Sequence, residues 1–126
     1  GHFPWVPKLR NIAKKLWVIE QNPQEGDLPS EAVDEILPQA DVIGITGTSF
    51  INHTVEKLLS LSRDSFTVML GPTTPLSPVL FDFGVDVLAG VKVVEPGKVI
   101  RSISEAAIFP QIEGVKPITM AKEVKR

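Results

Sequence analysis

The chain has 126 residues, 43% of them hydrophobic and 22% charged, with 13 basic and 15 acidic side chains for a formal net charge of −2. That length suits one domain with a real core, and the slight acidic balance gives no electrostatic footprint for nucleic acid. Cysteine is absent, which excludes disulfides, thiolate catalysis and cysteine-ligated zinc within these residues. The two histidines, His2 and His53, are far apart, so no metal-ligating set built by the protein itself is expected. No apolar run approaches the roughly 18 to 20 residues needed to cross a bilayer, and no signal-peptide pattern opens the chain. A cytoplasmic location, with no membrane partner, is the expectation.

Gly1-His2-Phe3-Pro4 is a turn-like tetrapeptide. Behind it Val6, Leu9, Ile12, Ala13 and Leu16 recur at helical spacing, which predicts an amphipathic helix over Pro7–Lys15. Leu16–Glu20 (LWVIE) reads as a short strand, broken by Asn22-Pro23 and Gly26. A second helix is predicted over Pro29–Leu37, with Ala32, Val33, Ile36 and Leu37 inward and Pro38 ending it. Val42–Thr46 (VIGIT) is the next buried strand. Gly47, Thr48 and Ser49 form its loop, and Ile51, Val55, Leu58 and Leu59 put one apolar stripe on a helix that ends near Leu61.

Phe66–Leu70 (FTVML) has the pattern of a strand covered on both faces, as in a parallel sheet. Gly71-Pro72 stops it, and Thr73 and Thr74 offer hydroxyls and backbone N–H groups in a loop stiffened by Pro72, Pro75 and Pro78. Ser77 before Pro78 reads as an N-cap for a helix over Pro78–Phe83 that stops at Gly84. Val85–Ala89 makes a fourth strand. Glu95-Pro96-Gly97 leads into a helix that turns Val99, Ile100, Ile103 and Ala107 inward. From Phe109 the chain becomes a wrapping tail in which Val115–Ala121 adds an edge strand, and Lys122–Arg126 fray.

Alternation of strand and helix with short loops means parallel strands joined by right-handed crossovers. The fold class is therefore α/β, a doubly wound parallel sheet with helices on both faces. In such a sheet ligands bind outside the carboxyl ends of the strands. Glu20 and Asn22, Thr46, Gly47, Thr48 and Ser49, and Gly71, Pro72, Thr73, Thr74 and Pro75 all fall on that edge. Gly1, His2, Phe3 and Pro4 join them if a strand precedes the first helix.

The chemistry on offer is hydroxyls, N–H groups at helix starts and one carboxylate, which suits a polar or phosphorylated small-molecule ligand. No histidine or lysine is placed by spacing to activate Ser49, Thr73 or Thr74, so no catalytic residue is assigned. Each feature also has a plainer reading. Glu20 could grip a ribose diol or be a solvated loop carboxylate, and Thr46–Ser49 could cradle an anion or simply cap a helix. The rigidity of the Gly71–Pro75 loop is harder to explain by connection alone.

Gly1-His2-Phe3-Pro4, Leu37-Pro38 with Ala40-Asp41, Ile45-Thr46 followed by Thr54, and the run from Gly71 to Phe81 (GPTTPLSPVLF) with Gly84 and Gly90 together resemble the Rossmann-like domain of the family catalogued as domain of unknown function 364, which is also labelled for heavy-metal chelation. The resemblance spans Gly1 to about Gly90, and the proline-rich run is its most specific part. It implies a two-part protein in which a small domain resembling the enolase N-terminal domain precedes this one, with a site at their junction. It also implies similarity to Rossmann-like methyltransferases and a role around a metal-chelating, pterin-, flavin- or siderophore-type compound. It establishes no reaction and names no cofactor.

The family's domain has a strand leading into the glycine of GHFP, and this chain starts at that glycine. An upstream segment or another chain is therefore expected to supply the missing strand. On this expectation residues 1–107 are the core and 108–126 the tail of a single Rossmann-like domain, part of a two-domain protein that can also assemble as a homo-oligomer. Ala40-Asp41-Val42-Ile43 with Thr54 also resembles the cofactor half of 2-hydroxyacid dehydrogenases, without a complete glycine fingerprint or a catalytic Arg, Glu and His set. The alternatives are thus a nucleotide-cofactor domain, for a dinucleotide or S-adenosylmethionine, and a non-enzymatic ligand-binding or sensing module.

Overall fold

The structure, a computed structural model, describes residues 3–123. Along the chain run α1 (Val6–Arg10), β1 (Ile19–Glu20), β2 (Leu28–Pro29), α2 (Val33–Ile36), β3 (Val42–Thr46), α3 (Val55–Leu61), β4 (Phe66–Leu70), β5 (Val87–Val93), α4 (Pro96–Ser104) and β6 (Val115–Ala121), with short 3-10 turns between them. The main sheet has the order β3-β4-β5-β6. Its first three strands are parallel, and β6 runs antiparallel beside β5. The architecture is α/β with a mostly parallel sheet, consistent with a Rossmann-like fold. Ile43, Ile45, Met69 and Leu88 project from the three parallel strands into a core shared with Val33, Leu37, Leu80 and Val85, and α3 adds Val55, Leu58 and Leu59 at its border. Each such aliphatic side chain stabilises the fold by about 1.5–3 kcal/mol when fully buried.

Two of the four expected parallel strands, Val42–Thr46 and Phe66–Leu70, have the predicted bounds, and β6 is the expected edge strand. Leu16–Glu20 is different. Only Ile19 and Glu20 lie in a strand, paired with Leu28 and Pro29 in a separate two-residue parallel ladder, so this segment does not join the main sheet. An apolar run becomes a strand only where a partner ladder is within reach, and a groove separates this one from β3. The fourth strand begins at Val87 rather than Val85 and runs on to Val93. Asp86 is diverted to brace β4: its Oδ2 accepts the Thr67 N–H at 2.8 Å, and its own N–H donates to the Thr67 carbonyl at 2.8 Å.

The helices depart further from expectation. The first is only Val6–Arg10, and Ile12, placed on its inner face by periodicity, is 80% exposed. So short a helix gains little from propagation and needs a surface to pack on. The predicted Pro29–Leu37 helix is split into a 3-10 turn over Ser30–Ala32, α2, and a second 3-10 turn over Leu37–Gln39, where Pro38 lacks the N–H that an α-ladder would use. After β3 a 3-10 turn over Gly47–Phe50 comes first, so α3 starts at Val55 and Ile51 is left exposed. Pro78–Phe83 is a 3-10 helix that ends at Gly84 in the left-handed region (φ 95°), and Ser77 makes no side-chain cap bond.

The inward face of α4 is borne out only in part: Val99 and, just beyond the helix, Ala107 are half-buried, but Ile100 and Ile103 are 69% and 59% exposed, and Ser102 is the buried residue. The Ser102 hydroxyl donates to the Lys98 carbonyl at 2.9 Å and accepts the Glu113 N–H at 3.1 Å, tying the helix to the tail. At the start of this helix Glu95 holds the exposed Lys98 ammonium above its usual pKa, first by a hydrogen bond and then by charge. Among the described residues no helix is long and apolar enough to cross a membrane.

The loop after β4 folds back over the sheet end and is pressed onto two glycines. A Cβ on Gly47 would lie 2.6 Å from the Thr73 carbonyl carbon and 2.8 Å from Thr73 Oγ1, and one on Gly90 would lie 3.1 Å from the Thr74 carbonyl oxygen and from Leu76 Cδ2. Since backbone blocks the space at Gly47, Gly47→Ala is expected to cost about 1–3 kcal/mol through overpacking; thermal melts check this, and an unchanged midpoint would contradict it. Asp86→Ala strands the Thr67 N–H inside the fold and is expected to cost about 1–3 kcal/mol, whereas Asp86→Asn keeps an acceptor and should cost less. Denaturant midpoints of the two variants give the comparison.

Candidate functional site

The carboxyl ends of three parallel strands lie at one edge of the sheet, the position at which open α/β sheets bind ligands. Two loops meet there, Thr46–Ser49 after β3 and Gly71–Pro75 after β4, in contact through Gly47. Beside the first of them opens a groove of about 1540 Å³. One wall is the segment from Phe3 to Asn22, and the other is β3 with Val68, Leu70 and Ala89.

Thr46, Thr48 and Ser49 make the end of the groove at the strand termini polar; Glu20, Asn22 and Asn52 also line it, and the rest of the lining is mostly apolar, interrupted by charged side chains such as Lys14, Glu31, Asp41 and Lys57. Thr46 Oγ1 accepts the Thr48 N–H at 3.4 Å and lies 3.0 Å from Thr48 Oγ1, so these two hydroxyls already form a pair facing solvent. Ser49 is fully buried and Thr74 nearly so, yet neither Ser49 Oγ nor Thr74 Oγ1 has a hydrogen-bond partner. An unpartnered buried hydroxyl costs about 1–3 kcal/mol, and such groups are few in folded proteins.

The sequence-predicted residues divide clearly. Gly1 and His2 lie outside the described residues. Phe3, Glu20, Asn22, Thr46, Thr48 and Ser49 line the groove; Pro4 does not and is exposed in a turn. Gly47 is buried behind the wall. Gly71, Pro72, Thr73, Thr74 and Pro75 do not line the groove and form a backing for Gly47 instead, with Pro72 and Thr73 exposed on the outer side. Within the loop the Gly71 N–H donates to the Ala89 carbonyl at 3.1 Å and the Thr74 N–H to the Gly71 carbonyl at 3.1 Å, which accounts for part of its rigidity.

Of the aromatic wall opposite, sequence reasoning placed Phe3 but missed Trp5 and Trp17. Phe3 and Trp5 stack with ring centroids 5.0 Å apart and planes 8° from parallel, and the Lys15 ammonium sits 4.6 Å above the Trp17 ring. Phe3, Trp5 and Trp17 all line the groove. Two tryptophans within seventeen residues, in a chain with 6% aromatics, were the available signal. Asn52 was also missed; its Oδ1 accepts the Thr54 hydroxyl at 2.6 Å and the Thr54 N–H at 3.2 Å, fixing the turn below the polar end.

Soft heavy metals favour thiolate and imidazole ligands. Among the described residues no three His, Cys, Asp or Glu side chains come together, and His53 is exposed in a left-handed turn (φ 60°). This donor set does not fit a heavy-metal centre held by these side chains.

The chain is similar to known proteins over nearly its whole length. It is 35% identical to a protein of unknown function from Desulfitobacterium hafniense DCB-2 and superposes on its crystal structure with a TM-score of 0.87, covering 97% of this chain and 50% of that one. The crystal structure of a Pyrococcus horikoshii protein of unknown function, at 22% identity and a TM-score of 0.83, shares the fold over 97% of this chain and 53% of its own. An uncharacterized protein of Methanocaldococcus jannaschii is 27% identical over 96% of this chain and 49% of its own length. The chain thus spans about half the length of the relatives it matches. Both crystal structures are described as DUF364 proteins, and the profile of that family, described as "Putative heavy-metal chelation", matches residues 1–121. The chain belongs to the DUF364 family.

Proposed function

We propose that this domain binds a planar, polar-edged small molecule at the polar end of the groove, and that any heavy metal arrives on that molecule rather than on protein side chains. The observation that carries the reading is the unpartnered Ser49 hydroxyl, buried in the groove wall beside the Thr46–Thr48 hydroxyl pair. A bound ligand that supplies its partner would offset the cost of burying it. Aromatic rings and a carboxylate on one wall, with hydroxyl and amide groups on the other, are the chemistry that a heteroaromatic ring with polar edges meets most favourably.

The pterin-, flavin- or siderophore-type compounds implied by the family resemblance have both features, and all can present oxygen or nitrogen donors to a metal. The lack of a ligand cluster among the described residues supports a chelator as the metal's carrier. Glu20, on the aromatic wall, would accept from hydroxyls of the ligand's substituent. In this reading the other half of the protein, resembling an enolase N-terminal domain, closes the site. Among the described residues no nucleophile–base pair supports a hydrolytic or group-transfer reaction, and binding is the function proposed.

The test is quantitative mass spectrometry of the small molecules that co-purify with the full-length protein, for wild type, Ser49→Ala and Thr74→Val. Ser49→Ala is expected to lower retention of the bound compound by about 5- to 150-fold, the equivalent of 1–3 kcal/mol, with an unchanged or higher melting temperature, because an unsatisfied buried hydroxyl has been removed. Thr74→Val, one layer behind the groove, is expected to raise the melting temperature with a smaller effect on retention. Equal retention by wild type and Ser49→Ala would move the site elsewhere.

A further inference from the structure

The turn after β3 presents hydrogen-bond donors to the groove. Thr46 Oγ1 accepts the Thr48 N–H at 3.4 Å and lies 3.0 Å from Thr48 Oγ1. These two hydroxyls hold two protons, and the bond between them uses one. Whichever hydroxyl donates, the proton of the other is left to point outward. Ser49, fully buried in the wall beside this pair, has an O–H with no partner. A hydroxyl can meet either a donor or an acceptor, so these groups alone do not fix which way round a ligand sits.

Asn52 does fix it. It lines the groove and is tied back over the same turn, its N–H donating to the Thr48 carbonyl at 3.1 Å. Its side-chain Oδ1 accepts twice, from the Thr54 hydroxyl at 2.6 Å and from the Thr54 N–H at 3.2 Å. A backbone N–H can only donate, so the amide has its oxygen toward Thr54 and its Nδ2 away from it. Among the described residues Nδ2 has no partner, which leaves two N–H donors and no acceptor on that side. Residues 46–54 contain no lysine or arginine, and Lys57, also in the groove lining, is paired with Asp34 at 2.7 Å. The turn thus matches an uncharged acceptor better than an anion.

We infer that Asn52 sets the polarity of the site: the bound ring meets the turn after β3 with an acceptor edge, made of carbonyl oxygens or unprotonated ring nitrogens, and amino groups are rejected there. The ligand class is an oxo-substituted heteroaromatic ring. This inference rests on the small-molecule reading above and adds to it which edge of the ring faces the protein. The Ser49 proton and the spare proton of the Thr46–Thr48 pair then donate in the same sense as Asn52. An amino edge sets donor against donor at Nδ2, and a polar group left unpaired costs more than a paired one returns.

The test is calorimetric titration of the full-length protein, stripped of small molecules and held at neutral pH, with a dioxopteridine and with the matching diaminopteridine. The two rings share an outline and reverse the donor and acceptor pattern of one edge. Wild type is expected to bind the dioxo ring about 10- to 100-fold more tightly. Asn52→Asp keeps an oxygen for both Thr54 donors but turns the free donor into an acceptor, so the preference is expected to reverse. The wild-type comparison needs no variant and decides the matter even if Asn52→Asp folds poorly. Tighter binding of the diamino ring by wild type, equal binding of the two, or binding of neither overturns the inference, as does an unchanged preference in folded Asn52→Asp. The small-molecule reading fails separately, on equal retention of co-purified compounds by wild type and Ser49→Ala.

Discussion

The parallel pairing of β4 with a strand on each side sets the position of everything else in this domain. Thr67 and Met69 are fully buried in it, and the Asp86 carboxylate, reaching the Thr67 N–H, ties the start of β5 to it. Because β3 and β5 run the same way as β4, their carboxyl ends reach one edge of the sheet, and the loops that follow β3 and β4 meet there. The contact at Gly47 is possible only without a side chain. A glycine immediately after one strand and a proline-stiffened loop after the next are thus two halves of one packing arrangement.

That arrangement changes the meaning of the Gly71–Pro75 loop. Its proline content marks it in the sequence as a candidate binding element, yet it stands behind the groove and sets the shape of the wall that carries Thr46, Thr48 and Ser49. Rigidity here serves placement: a loop seated against Gly47 and Gly90 holds the hydroxyl-bearing turn at a defined height above the sheet. In the proposed reading, the ligand-facing chemistry comes from the turn after β3 and from the aromatic segment across the groove.

The central strands were legible because VIGIT and FTVML are short apolar runs bounded by turn residues, and burial on both faces leaves such runs little alternative. Leu16–Glu20 has the same local character and was misread, since a strand also needs a neighbouring edge and no local pattern records whether one is in place. The inner face of α4 differs in part from expectation for a related reason. Val99, Ile100 and Ile103 are all apolar, so periodicity left the rotation open, and two hydrogen bonds of the Ser102 hydroxyl settled it. Thr46, Thr48 and Ser49 could be placed at the groove from the strand-end rule, whereas the positions of Glu20 and Asn22, outside the main sheet, the stacking of Phe3 on Trp5 and the position of Trp17 depend on how a segment with little regular structure folds back. Local sequence carries no signal for that.

Cysteine is absent and, among the described residues, no three His, Asp or Glu side chains come together, while the family the chain belongs to is described through heavy-metal chelation. In the proposed reading, an organic chelator as the bound species reconciles the two. Native mass spectrometry of the full-length protein, purified without added chelators, measures this most directly. The account predicts that metal appears only in species that also carry an organic mass, with both lost together on mild denaturation. Metal retained by protein molecules free of any organic mass would contradict it.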